Sequence, residues 1–98
     1  MKVVAKKPGQ LAEIIKIENE LQALQEYVGG WIETVTFATD ACIICNDEGR
    51  LLDMPYNFTF CGVDFYGPIL IVGVKNEDFT DCPAAGFILT QINRGQRQ

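Results

Sequence analysis

The feature that most constrains the fold is the run Ile69–Val74, "ILIVGV", which is the most continuously apolar stretch of the chain. A short apolar run rich in β-branched residues is typical of a strand that is buried on both of its faces. It is also far shorter than the roughly 20 residues that a membrane-spanning helix requires. The run therefore predicts the central strand of a sheet, in a protein that does not cross a membrane.

Short segments of strand character surround this run and are separated by turn residues. Pro8-Gly9 predicts a type II turn between strands at Val3–Lys6 and Glu13–Glu18, because Pro presets the first central position and Gly accepts a positive φ at the second. Alternation predicts a third strand at 31–39, "WIETVTFAT". Two more strands are expected at 41–45 and 50–54, joined by a turn at Asn46–Gly49.

One helix is expected at about 20–28, between the hairpin and the third strand. Asn19 is a suitable N-cap, and Gln22 could complete a capping box. Gly29-Gly30 ends the helix, since Gly adopts the left-handed conformation without strain. The apolar stripe of the helix is formed by Leu21, Leu24 and Val28.

The second half of the chain is less regular. Its aromatic segment at 56–66 contains a short strand around Phe58 and Phe60, and both side chains, with Phe65, are expected in the core. Residues 75–86 are expected to form a loop, 87–93 either a strand or a short helix, and 94–98 a frayed end. Together these segments predict one α+β domain over residues 1–98, with a mainly antiparallel sheet built from hairpins and the helix packed on one face.

The chain contains no histidine and no serine, so it cannot build the common hydrolytic triads by itself. Cys42 and Cys45 form a Cys-x-x-Cys, but in a strand residues three apart point to opposite faces. We therefore expect small buried apolar side chains there rather than a zinc or redox pair. Neither the carboxylates near Asp47 nor those near Asp78 match a calcium loop. No catalytic residue, metal or cofactor is predicted.

The charge of the chain is uneven. Residues 18–81 contain twelve acidic residues but only Arg50 and Lys75 as cations, a net charge of −10, whereas the whole chain carries −5. Nucleic-acid binding needs clustered Lys and Arg, so direct binding of this kind is not expected. An acidic body either serves solubility or contacts a basic surface of a partner.

Several polar and aromatic residues are candidates for a binding surface, because surfaces that bind ligands combine aromatic rings with a few polar groups. The candidates are Trp31, Glu33, Tyr56, Asn57, Asp64 and Tyr66. The first hypothesis is a non-enzymatic module that binds a protein partner through its acidic body and exposed aromatics. The alternative is a small-molecule or nucleotide-binding domain with an aromatic platform at 56–66, whose pocket is bordered by Tyr56, Tyr66 and Trp31 and by the positive Arg50. An enzyme that uses Cys61 or a carboxylate is the least favoured interpretation.

Several pieces of the sequence resemble a bacterial family, the domain-of-unknown-function family number 3846, which is frequent on phages and plasmids. The pieces are "LQALQEYVGGWIETV", "CNDEGRLL", "MPYN" and "GPILIVG", and the resemblance covers residues 1 to about 80. It implies an origin on a mobile element and a role in modulating a host protein, and it brings no catalytic residue or cofactor. Relatives continue into an acidic amphipathic helix, whereas this chain has "FTDCPAAGF" from Phe79, so a helix at the C-terminus is in doubt.

Two further expectations concern the setting of the protein. The start of the chain, "MKVVAKKPG", lacks the long apolar segment of a signal peptide, so the cytoplasm is the expected compartment. The edge strands of a small sheet also favour pairing into a homodimer.

Overall fold

The computed structural model describes residues 1–96, and its strands and helices form an α+β domain with antiparallel sheets, as the sequence predicts. The strands are β1 (Lys2–Lys6), β2 (Glu13–Lys16), β3 (Ile32–Ala38), β4 (Ala41–Asn46), β5 (Tyr56–Phe60), β6 (Val63–Tyr66), β7 (Ile69–Lys75) and β8 (Asp78–Thr80). The helices are α1 (Leu21–Val28) and α2 (Ala85–Gln96). Neither helix combines the length and the apolar character of a membrane span.

The main sheet has the order β2-β1-β7-β4-β3, and β8 pairs with the C-terminal end of β7. The apolar run Ile69–Val74 is therefore a central strand, as predicted, with β1 on one side and β4 on the other. The predicted first hairpin is also present. Gly9 has a φ of 73°, and the Gln10 N–H donates to the Lys7 carbonyl at 3.1 Å, which closes the turn.

The two faces of the main sheet are covered by different elements. Helix α1 packs on one face through Leu24 and Val28, against the side chains that include Cys42 and Leu70. The β5–β6 hairpin and α2 cover the other face, where Phe58, Phe65 and Ile92 pack against β1, β4 and β7. The expected burial of Phe58 and Phe65 is confirmed, and Phe60 is half-buried beside them. The sheet is thus the middle of three layers.

Cys42 and Cys45 lie on opposite faces of β4, as the alternation predicts. Cys42 belongs to the α1 side and Cys45 to the hairpin side, and both are buried. Burial raises the pKa of both thiols, and that of Cys45 reaches about 11. The two sulfurs cannot reach one another or share a metal, because the sheet lies between them.

The thiols should consequently differ in reactivity with a disulfide reagent at pH 8. Cys61 lies exposed in the turn between β5 and β6, while the other three cysteines are buried. We expect one thiol per native chain to react quickly and the rest only after unfolding, since the thiolate must form and be accessible. A spectrophotometric titration counts them, and Cys61→Ala should abolish the fast phase. A fast second thiol would show that β4 or the segment after β8 opens readily.

Three local predictions were wrong. Asn19 does not cap α1: Glu20 holds that position without a side-chain bond, and the Asn19 amide donates to the Phe79 carbonyl at 2.8 Å. Gln22 forms no capping box but donates to Glu26. Leu21 is exposed rather than core. Asn19 thus bonds to β8 and not to the first turn of α1.

Two predicted segments also differ in type. Residues 50–54, expected as a strand, contain successive turns as far as Asp53 and no strand, and the loop expected at 75–86 contains the short strand β8. Between β7 and β8, Asn76 and Glu77 both have positive φ, which gives the tight hairpin turn. Residues 87–93 belong to α2, so the helix placed in doubt is present. That helix continues through residues 94–96 of the segment expected to fray, and 97–98 lie outside the described residues.

Candidate functional site: an acidic pocket beside the edge strand

A surface cavity of about 460 Å³ lies between the edge of the main sheet and the β5–β6 hairpin. Its floor is apolar, with Val35 from β3, Cys45 from β4 and Phe65 from β6. Val35 and Glu33 project to the same face of β3, because side chains alternate along a strand. The cavity therefore joins the edge strand to the layer that covers it.

The rim of this pocket is acidic. Glu33, Asp47 and Asp64 are exposed around it, and Arg50 is the one cation among its lining residues. Burial is the main cause of the raised pKa of the Cys45 thiol, and the charges of Glu33 and Asp47 raise it further. Both carboxylates are thus close enough to the floor to disfavour a second negative charge there.

Arg50 is already engaged within the pocket wall. Its Nη2 donates to the Tyr66 hydroxyl at 3.0 Å, and its guanidinium carbon lies 5.0 Å from the centre of the same ring. The hydrogen bond to Tyr66 is the largest cause of the raised pKa of Arg50. Arg50 remains a cation, but the three carboxylates outnumber it, so the pocket as a whole presents negative charge to an incoming ligand.

The segment 47–54, called the turn segment below, forms one wall of the pocket and is closed by its own hydrogen bonds. The N–H of Leu52 donates to Glu48 at 2.9 Å, and that of Met54 donates to Gly49 at 3.0 Å. Asn46 holds its start: its Oδ1 accepts from the Glu48 N–H at 2.7 Å, and its Nδ2 donates to the last carbonyl of α1. The apparent turn signal Asn46–Gly49 therefore begins a compact loop rather than a hairpin.

The turn segment carries exposed apolar side chains beside the acidic rim. Leu51 is 81% exposed and Leu52 is 56% exposed. Trp31, which is 69% exposed, adjoins the segment through its carbonyl, which accepts from the Asp47 N–H at 2.8 Å. Apolar side chains held in water by a hydrogen-bonded loop are typical of contact surfaces.

The predicted site residues occupy four different environments. Glu33, Asp64 and Tyr66 line the acidic pocket. Tyr56 lies outside that lining and borders a second cavity of about 310 Å³, between the hairpin and α2. Trp31 lines neither cavity. Asn57 is buried and has a different environment.

Asn57 holds a buried lysine. The Lys6 side chain is fully buried, and its Nζ donates to the Asn57 Oδ1 at 2.8 Å and to the Lys7 carbonyl at 3.3 Å. The Asn57 Nδ2 in turn donates to the carbonyls of Lys6 and Gly67, at 2.9 Å and 2.8 Å. Burial lowers the pKa of Lys6. This amide therefore joins β1, β5 and the link between β6 and β7.

Sequence reasoning missed Lys6 and the role of Cys45. A signal for Lys6 existed: Val4 and Lys6 share one face of β1, and Val4 is core, so the alternation placed the ammonium toward the hairpin. No group of three or more acidic or cysteine side chains in residues 1–96 is arranged to hold a metal ion.

Comparison with known proteins gives one match. A family model described as "Domain of unknown function (DUF3846)" matches residues 1–92. Neither the curated proteins nor the solved structures contain a match to this chain.

Proposed function

Since the chain belongs to the DUF3846 family, whose function is unknown, we propose from its own geometry that it is a non-enzymatic protein-interaction module. The observation that carries the proposal is the acidic pocket, with Glu33, Asp47 and Asp64 around an apolar floor. A Lys or Arg side chain of a partner would lay its methylene stem on that floor and its charge among the carboxylates.

The surroundings of the pocket support a protein ligand. Leu51 and Leu52 stand exposed on the turn segment, outside the pocket lining, and Trp31 adjoins that segment. A single basic side chain would fill the pocket without contacting these apolar residues. A protein surface that covers the pocket would also contact them, and large apolar and aromatic side chains are common in such interfaces. The resemblance to proteins of phages and plasmids adds the proposal that the partner is a host protein.

The chemistry of the side chains supports a role without catalysis. The buried cysteines have raised pKa values, which disfavour the thiolate nucleophile. Lys6 has a lowered pKa, but its side chain is fully enclosed, so a substrate cannot reach it. The chain itself offers neither histidine nor serine.

The nucleotide-binding alternative is disfavoured by the same pocket. A phosphate group there would meet three carboxylates against the one guanidinium of Arg50, so the charges of the lining disfavour an anion. Like charges repel, so a nucleotide phosphate would bind poorly in this pocket. A neutral or cationic small molecule is the form of this alternative that the charges allow.

The proposal is tested by capturing partners from bacterial lysate on immobilised protein, with bound proteins measured by quantitative mass spectrometry. We expect the double substitution Glu33→Gln/Asp64→Asn to lower retention of the main partner by about tenfold, because attraction to its basic residue is lost. The partner should also elute between low and high salt, since exposed charges are screened over roughly 10 Å at 0.1 M.

The matched control is Glu18→Gln/Glu26→Gln, which changes the net charge equally at exposed positions outside the pocket lining. Retention should stay near that of the unchanged protein. An equal loss in both variants would mean that net charge, and not the pocket, attracts the partner. If no protein is retained at either salt concentration, the interaction module is the wrong proposal.

A further inference from the structure

The outer edge of β3 has no strand beside it. β3 is the last strand of the main sheet, and within residues 1–96 it pairs only with β4. An open edge offers a row of backbone donors and acceptors to any extended chain that approaches it.

The pairing with β4 shows which backbone groups face outward. The Asp47 N–H donates to the Trp31 carbonyl, which makes these two residues a hydrogen-bonded antiparallel pair. Hydrogen-bonded and non-hydrogen-bonded pairs alternate, and the register continues without a break to Thr36. The N–H and C=O groups of Ile32, Thr34 and Thr36 therefore point away from β4, toward solvent.

Little of the usual protection is present at this edge, where Glu33 is the one charged side chain. β3 is seven residues long, "IETVTFA", with β-branched side chains and neither Lys nor Pro, and its one irregularity lies near the end, between Thr36 and Ala38. The opposite edge, β2, has four residues and contains Lys16. Natural sheets shorten, charge or bend an edge that stays unpaired. The edge of β3 is thus suited to accept a strand.

The acidic pocket adjoins the same edge. Glu33 and Val35 line the pocket from β3 itself. In an added strand, every second side chain would project to that face, about 5 Å from Glu33 or Val35. A basic side chain at such a position meets Glu33 first and reaches Asp47 and Asp64 beyond it.

We propose that β3 binds an extended basic segment of a partner protein by strand addition, with a Lys or Arg side chain placed in the acidic pocket. This inference rests on the proposed function and specifies its binding mode. Charge decides the occupant: the chain carries −5, so pairing β3 with a second copy would bring two acidic rims together. A basic segment matches both the backbone groups and the charge.

The test uses a fluorescein-labelled synthetic peptide of about six residues, the length of an ordinary strand, with alternating Lys and Thr. Binding to the full chain at low salt is followed by fluorescence anisotropy. Two further peptides carry N-methyl groups on the Lys amides or on the Thr amides, which removes alternate backbone donors while keeping the charge. We expect at least one of them to bind about tenfold more weakly than the parent peptide.

A variant of the protein removes a backbone donor on the other side of the proposed strand pair. Thr34→Pro removes an outward N–H without breaking the ladder to β4, and should weaken binding of the parent peptide to a similar extent. Thr34→Val keeps the backbone and should bind normally. Because the methylated peptides leave the protein unchanged, poor folding of the Pro variant cannot produce their result.

Other outcomes overturn the inference in distinguishable ways. If both methylated peptides bind as tightly as the parent, charge alone holds the peptide, and strand addition is wrong while the interaction pocket stands. If the parent peptide does not bind, strand addition is also wrong, and the lysate experiment decides the proposed function separately. If sedimentation gives two chains per particle for the free protein and one for Thr34→Pro, the edge is taken by a second copy.

Discussion

Replacing Gly73 by alanine should destabilise the native state by about 3 kcal/mol or more, which is at the upper end for overpacking in a core. Gly73 lies in β7, where it faces Ala41 on one side and Thr80 of β8 on the other. An added Cβ would collide with the carbonyl oxygen of Asp81 and would lie 2.9 Å from the Cγ2 of Thr80. A collision with backbone cannot be relieved by a rotamer change.

Asp81 and Cys82, which would have to move to make room for the added Cβ, are both hydrogen-bonded to Lys2. Asp81 accepts from the Lys2 N–H at 2.7 Å, and the Cys82 N–H donates to the Lys2 carbonyl at 2.8 Å. Shifting Asp81 therefore strains its bonds to β1 or separates β8 from β7. This coupling between three strands is the reason for the large expected cost.

Urea unfolding at one pH measures the effect, with Gly86→Ala as the matched control. Gly86 lies in α2 with no atom within 4 Å of an added Cβ, and its φ is not positive. The same substitution there should stabilise the protein by about 0.5–1 kcal/mol, because alanine loses less entropy in a helix. Equal effects at the two glycines would contradict the packing of β8 against Gly73.

Replacing Asn57 by alanine should also cost about 3 kcal/mol of unfolding free energy. The Lys6 Nζ would lose its closest acceptor, and the carbonyls of Lys6 and Gly67 would lose their donors. Buried polar groups without partners are expensive, and a buried charge that loses its partner is more so. Since small domains have only about 5–15 kcal/mol in total, the melting temperature should fall clearly.

Two comparisons separate this effect from the loss of side-chain volume alone. Thr59→Ala removes a hydroxyl of the same strand whose bonds to Tyr56 and Asp64 are exposed to solvent, and it should cost only about 1 kcal/mol. Adding Lys6→Met to Asn57→Ala removes the stranded ammonium and should recover part of the lost stability, measured as a double-mutant cycle in urea. If the double variant is no more stable than Asn57→Ala, the unpaired Lys6 ammonium is not the cause of the lost stability.

The candidate site was only partly predictable. Glu33, Asp64 and Tyr66 were proposed together and do line one pocket. Asn57 resembled a polar member of the same surface, because the alternation in β1 directs Lys6 inward but does not show that a side chain 51 positions later accepts from it. Asp47 and Cys45 complete the pocket because β4 and the residue after it lie beside β6, and a packing contact between distant segments leaves no local periodicity to detect.

The sequence by itself determined the elements whose signals are local. The apolar run at 69–74 had to be buried on both faces, Pro8-Gly9 had to turn, and alternation separated Cys42 from Cys45. The tertiary structure alone decided the rest. Residues 50–53 became turns because the side chain of Asn46 holds the start of the segment, and β8 formed because β1 leaves the end of β7 unpaired. Such outcomes depend on contacts between residues that are distant in the chain. A turn or an alternating strand, in contrast, is specified by residues that are adjacent in the sequence.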